Sequence, residues 1–244
     1  MSLGKLTKQL DRFETEFHLQ NHENRHRKAF LMSDSKGNYL QRVVERGQDI
    51  FDIVFQKGAS SDNKHLLSKI LDVIRGVESS LLMVWTGTCD FTKFDRRTRY
   101  LSLDEDVSVA DVVDKLQNIK REVLKVNAST EVIFLQCPVF SIRLWNEYQN
   151  HSNPDSFKDD DEALIGKIGN LNDEIDSINS TRSPPFSLDL LRASKVRRGR
   201  SQNRIQTKYT YNFKDLYKDG IHPIDTLAKL WLRKLQQIVI EKCF

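Results

Sequence analysis

From residue 28 onward, short apolar runs alternate with stretches whose apolar residues recur at helical spacing. The runs Lys28 to Asp34, Asp49 to Gln56, Ser80 to Thr86, Glu131 to Cys137 and Phe186 to Leu191 read as strands. Leu81-Leu82-Met83-Val84-Trp85 is almost continuously apolar, which suits a parallel strand buried on both faces. The intervening patterns predict helices over Gly37 to Gln48, His65 to Val77, Val107 to Val126, Ala163 to Asn179 and Ile224 to Ile240. Thr88 to Asp106 reads as a polar connection and 141–162 as irregular. Strict alternation of strand and helix predicts an α/β protein: a three-layer α/β/α sandwich around a flavodoxin-like, doubly wound, parallel five-stranded sheet. Leu3, Leu6, Leu10, Phe13 and Phe17 make 1–27 a helical extension ahead of one domain over 28–244.

Composition narrows this only a little. The 244 residues are 39% hydrophobic and 30% charged, with a net charge of +4, as in a globular chain of mildly basic character. No apolar run reaches the length of a membrane span, and the polar N-terminus has no secretory core; an intracellular, cytoplasmic location is the expectation. Cys89, Cys137 and Cys243 are too widely spaced to predict a disulfide framework or a zinc cluster. His18, His22 and His26 share one helical face, but no cysteine or carboxylate pattern completes a metal site. The sequence asks for no cofactor or metal and leaves the oligomeric state open.

In a doubly wound sheet the chemistry gathers at the carboxyl ends of the strands. The loops expected there are the unusual ones. The first strand runs into Ser33-Asp34-Ser35-Lys36-Gly37, which places Ser35 where a helix begins. Free N–H groups at a helix start can hold developing negative charge. A small polar residue there is also an ordinary helix cap. Gly58 follows the second strand, Gly87-Thr88-Cys89-Asp90 the third, and Asp219-Gly220-Ile221-His222-Pro223 precedes the last helix. An Asp three residues before a His can orient the imidazole as a base for a serine. Asp-Gly is equally a common turn pair.

In this order, the four loops resemble the four blocks of the SGNH (GDSL-type) hydrolases. Ser33-Asp34-Ser35 matches the Gly-Asp-Ser block, with Ser33 in place of the Gly. Gly58 matches the glycine that lends an N–H to the oxyanion hole, and Gly87-Thr88-Cys89-Asp90 matches Gly-x-Asn-Asp. Asp219-x-x-His222 matches the last block closely. The resemblance implies a Ser35, His222, Asp219 triad and an oxyanion hole built from Ser35, Gly58 and the position of Cys89, with Asp34, Gly87 and Asp90 in support. It implies a serine ester hydrolase acting on a small ester or acylated substrate. The departure is Cys89, because a thiol is a weak donor where the family has an amide. Losing one oxyanion donor costs roughly 10²–10³ in turnover. Thr88 and Asn63 are the alternative donors, and Cys89 itself reads as a small semi-buried residue rather than a nucleophile.

Charge adds a second reading. Lys195 to Arg200 contains Arg197, Arg198 and Arg200, and aromatics follow at Tyr209, Tyr211 and Phe213. A second basic patch, with Lys93, Arg96, Arg97 and Arg99, follows the Gly87 loop. Such clusters suit nucleic acid or another polyanion. The alternative to an esterase is therefore a weak or inactive SGNH-like module that binds a polyanion through basic loops, a context resembling esterase-like modules of retroelement-encoded proteins.

Overall fold

The structure is a computed structural model that describes residues 3–18, 26–44, 50–179, 192–197 and 207–244. Four parallel strands form its sheet: β1 (Lys28–Ser33), β2 (Asp52–Phe55), β3 (Ser80–Trp85) and β6 (Thr130–Phe134), in the order β2-β1-β3-β6. The register pairs Leu31 with Ile53 on one side and with Met83 on the other. All six residues of β3 are buried, as its unbroken apolar run requires of a strand covered on both faces. The candidate fifth strand, Phe186 to Leu191, lies outside the described residues.

Helices cover the sheet because each carries an apolar stripe. Those of α3 (Lys64–Arg75) and α4 (Val109–Val126) bury Leu66, Ile70 and Ile74, and Val112, Leu116, Ile119 and Val123. A capping box of Ser108 and Asp111 starts α4. The last helix, α8 (Asp225–Cys243), sets Trp231 edge-on against Trp85 of β3 at 5.2 Å between ring centres. It packs against α2 (Ser35–Val43) and the N-terminal α1 (Leu3–His18), whose Leu6 and Leu10 are buried.

Several segments carry more structure than their pattern suggested. The polar connection contains a 3-10 turn, Thr88–Phe91, and an antiparallel hairpin of β4 (Thr92–Phe94) and β5 (Leu101–Leu103). The stretch read as irregular holds α5 (Ile142–Tyr148), and α6 begins at Lys158 rather than Ala163, running to Ile178. The short strands and α5 give periodicity too few residues to register, and α6 opens on the acidic turn Asp159-Asp160-Asp161, which carries no apolar pattern. β7 (Arg192–Arg197) and β8 (Thr207–Tyr211) form a separate ribbon, with α7 (Phe213–Leu216) just beyond it. Among the described residues no helix is long and apolar enough to cross a membrane.

Candidate active site

The strand order turns back between β1 and β3, and the carboxyl ends of those two strands carry the first and third loops. α2 starts at Ser35, two residues before the Gly37 start expected from the pattern, because Asp34 is its cap: Oδ1 accepts the Lys36 N–H at 2.9 Å. Ser35 is therefore the first helical residue, and its N–H has no partner within the helix. Gly37 is required by packing, since a Cβ there would lie 2.7 Å from Cβ of Phe55. Ser33 is fully buried, and its hydroxyl accepts the Gly37 N–H at 3.1 Å.

The next residue is the surprise. Lys36 is buried, and its ammonium makes an ion pair with Asp34 Oδ2 and donates to Thr88 Oγ1 at 3.0 Å. Burial alone would lower its pKa, but the adjacent Asp34 carboxylate outweighs that and raises it, so the amine stays charged. Thr88 Oγ1 also donates to Asp34 Oδ2 at 3.2 Å, and Cys89 Sγ approaches the same oxygen at 3.7 Å. Burial foremost, with Asp34 adding to it, pushes the Cys89 thiol far above its usual range, which keeps it neutral.

Asp90 ties the second loop to the third. Its buried carboxylate accepts from Ser61 N–H at 2.8 Å, Ser61 Oγ at 2.9 Å and Lys115 Nζ at 2.9 Å. Gly58 opens that second loop in the left-handed region, with φ of 67°. Asn63, an alternative donor in the sequence, caps α3, where its Oδ1 accepts the Leu66 N–H at 2.9 Å, and it is not among the residues lining the cavity of Ser35. Gly87 also has positive φ, 119°, and a Cβ there would press on Leu171 and Cys137 at 3.1 and 3.3 Å.

The fourth loop folds around one carboxylate. Asp219 Oδ1 accepts the backbone N–H groups of Ile221 at 3.1 Å and His222 at 2.8 Å, and Oδ2 meets His222 Nδ1 at 2.6 Å. Gly220, at φ of 92°, lets the loop lie on the start of α5: a Cβ would fall 2.7 Å from Leu144 Cβ and 2.8 Å from the Trp145 nitrogen. Burial works to raise the pKa of Asp219, but the His222 ring and the loop N–H groups outweigh it and hold the carboxyl below its ordinary 3.8. The stability this group contributes is complete above that value and is lost as pH falls through the lower folded one. Replacing Asp219 by Asn is accordingly expected to reduce the difference in stability between pH 6 and pH 2.5, measured by urea denaturation across pH. An unchanged difference would contradict the assignment.

The His222 ring is held between two aromatics: it stacks on Tyr39 at 4.9 Å and meets Trp145 edge-on at 5.8 Å. Tyr39 follows Ser35 by four residues on α2, so the two share a helix face. Ser35 and His222 line one cavity of about 670 Å³, together with Asp34, Lys36, Gly58, Thr88 and Cys89. Among the described residues no hydrogen bond joins Ser35 to His222. Gly87, Asp90 and Asp219 do not line this cavity, and Asp219 bears on it through His222. Arg96 lines the cavity, whereas Arg97 does not. Arg197 falls in β7, and its side chain, with Arg198 and Arg200, lies outside the described residues. Sequence reasoning missed Lys36, Tyr39 and Trp145; the i, i+4 spacing of Ser35 and Tyr39 was the one available signal.

Neither a protein-family model nor a curated protein matches the chain. Solved structures do. A GDSL-like lipase from Bacteroides thetaiotaomicron is 15% identical with a TM-score of 0.53, over 95% of this chain and 97% of that one. A lipase/acylhydrolase from Enterococcus faecalis is 14% identical with a TM-score of 0.53, over 89% and 97%. An acetyl xylan esterase is 11% identical with a TM-score of 0.54, over 87% and 99%. The likeness runs along nearly the whole length of each partner, and at such identity it speaks for architecture. With four parallel strands in 2-1-3-6 order and the chain's unusual loops gathered at the switch point, this protein has the SGNH-type hydrolase fold.

Proposed function

We propose that the protein is a serine ester hydrolase working through an acyl-serine. The observation that carries this is the 2.6 Å contact of His222 Nδ1 with Asp219 Oδ2, on the cavity that Ser35 also lines. With Nδ1–H given to the carboxylate, Nε2 is left as the base. Ser35 Oγ attacks the ester carbonyl as its proton passes to Nε2, and the C=O pair becomes an oxyanion. The tetrahedral intermediate collapses, the C–O bond breaks, and Nε2 returns the proton to the leaving alcohol. Water then repeats the sequence on the acyl-serine, releasing the acid and restoring Ser35. The Ser35 and Gly58 N–H groups receive the oxyanion. That the neighbours in fold carry lipase, acylhydrolase and esterase names supports an ester as the substrate class. A fluorophosphonate probe is expected to label Ser35 stoichiometrically, and labelling that survives Ser35→Ala would overturn the assignment.

Cys89 sets the rate in this reading. The half-buried thiol is neutral, faces Asp34, and supplies only a weak donor. Cys89→Asn is expected to raise kcat on a short acyl ester, by up to ~10²–10³, with little change in KM. An unchanged kcat in a folded variant would place the oxyanion away from residue 89.

A further inference from the structure

The cavity is cationic beyond what the proposed chemistry uses. Arg42, Lys57, Arg96 and Arg99 line it alongside Lys36, and Asp34, already paired with Lys36, is its single carboxylate. None of those four cations has a carboxylate partner within 4.0 Å among the described residues. Unpaired cations converging on one concavity are anion-binding groups awaiting a ligand.

Two of them project from a backbone that is held in place. Arg96 and Arg99 sit at the tip of the β4–β5 hairpin, where Asp95 Oδ1 accepts the Arg97 N–H at 2.8 Å and Asp95 O accepts the Arg99 N–H at 2.7 Å. Arg99 takes a left-handed backbone, φ 64°, which is unfavourable for a side chain of this kind. Trp145 Nε1 donates to its carbonyl at 2.8 Å, joining the tip to the aromatic that faces His222. The hairpin stem is fixed by Asn146, whose side chain accepts the Leu101 N–H at 2.8 Å and donates to Leu101 O at 2.7 Å. Phe94, Phe140 and Trp145 give the same cavity an apolar wall.

We propose that the substrate is an acyl ester bearing an oxyanion group, phosphate or carboxylate, which Arg96 and Arg99 bind with help from Arg42 and Lys57 while the ester lies at Ser35. This rests on the hydrolase reading and narrows its substrate class. The hairpin fixes the backbone from which the two guanidinium groups project, and their planar forks suit a compact oxyanion better than lysine ammonium groups do.

Matched esters test it. One pair is acetylglycerol and acetylglycerol phosphate, differing by a phosphate on the alcohol side. The other is 4-nitrophenyl butyrate and 4-nitrophenyl hemisuccinate, differing by a carboxylate on the acyl side. The anionic member of at least one pair is expected to have the higher kcat/KM, by about tenfold or more at low salt. That ratio should fall towards unity between 20 and 500 mM NaCl, values chosen to take the Debye length from roughly 20 to 4 Å. It should also fall in Arg96→Gln/Arg99→Gln and, separately, in Arg42→Gln. The pair that shows the preference identifies which side of the ester carries the anion. Equal turnover of both members in both pairs overturns the proposal and leaves the hydrolase standing. No turnover of any of the four ends both. Inhibition by a single-stranded oligonucleotide at concentrations where inorganic phosphate has no effect overturns it in favour of a polyanion site.

Discussion

Ser35→Ala is expected to lower hydrolysis of a short acyl ester by about 10⁴-fold or more, and His222→Ala by a similar factor. The two groups act on one proton, so the double variant should be no slower than either single one. A residual rate above that of water would come from the remaining N–H donors and from binding alone. Asp219→Asn should cost about as much, because the amide cannot fix the tautomer that leaves Nε2 basic. All three variants should remain folded: Ser35 and His222 are partly exposed, and the Asn side chain keeps an oxygen for the two loop N–H groups that Asp219 accepts. Full turnover in Ser35→Ala, or losses that multiply in the double variant, would show that the site does not work as a triad.

The second large effect is on stability. Lys36→Met removes the ammonium that neutralises Asp34, whose side chain is almost wholly buried. A buried carboxylate stripped of its partner costs about 3–5 kcal/mol. The loss should appear in urea denaturation as a lower midpoint with an unchanged slope. Asp34→Asn/Lys36→Met should recover most of it, since the uncharged amide can still cap α2 through its oxygen. A single variant within 1 kcal/mol of the parent, or a double variant no better than the single, would mean that the pair is not isolated from water as the structure has it. Measuring acyl-ester turnover in the rescued double variant separates the charge of Lys36 from its structural effect.

The sheet was legible because β1 and β3 are written as short apolar runs, buried along almost their whole length, and because β6, though only partly buried, is a short run rich in β-branched and aromatic residues. The Asp219–His222 contact was legible because a three-residue spacing before a helix brings two side chains together without help from the rest of the chain. What escaped notice depended on distant partners. Lys36 looks in sequence like any surface lysine, and only the meeting of Asp34 with Thr88 from another loop explains its burial. Asn63 reads as a donor in the sequence, whereas the fold sets it at the start of α3 and outside the lining of the cavity. The β4–β5 hairpin has three residues per strand, and its anchor, Asn146, lies on α5, far along the chain. A local pattern cannot report such a tie.

The Asp219–His222 contact is made within a single turn of chain, whereas Ser35 is brought to the same cavity by long-range packing, that of α2 on α8 included. The base and its orienter are thus a short-range unit, and the nucleophile is joined to them by long-range order. Mild loosening of the α2–α8 interface should switch the protein off while leaving that unit whole. Heat or denaturant would then silence the chemistry before the imidazole loses its carboxylate, so inactivation and unfolding would trace two separate curves.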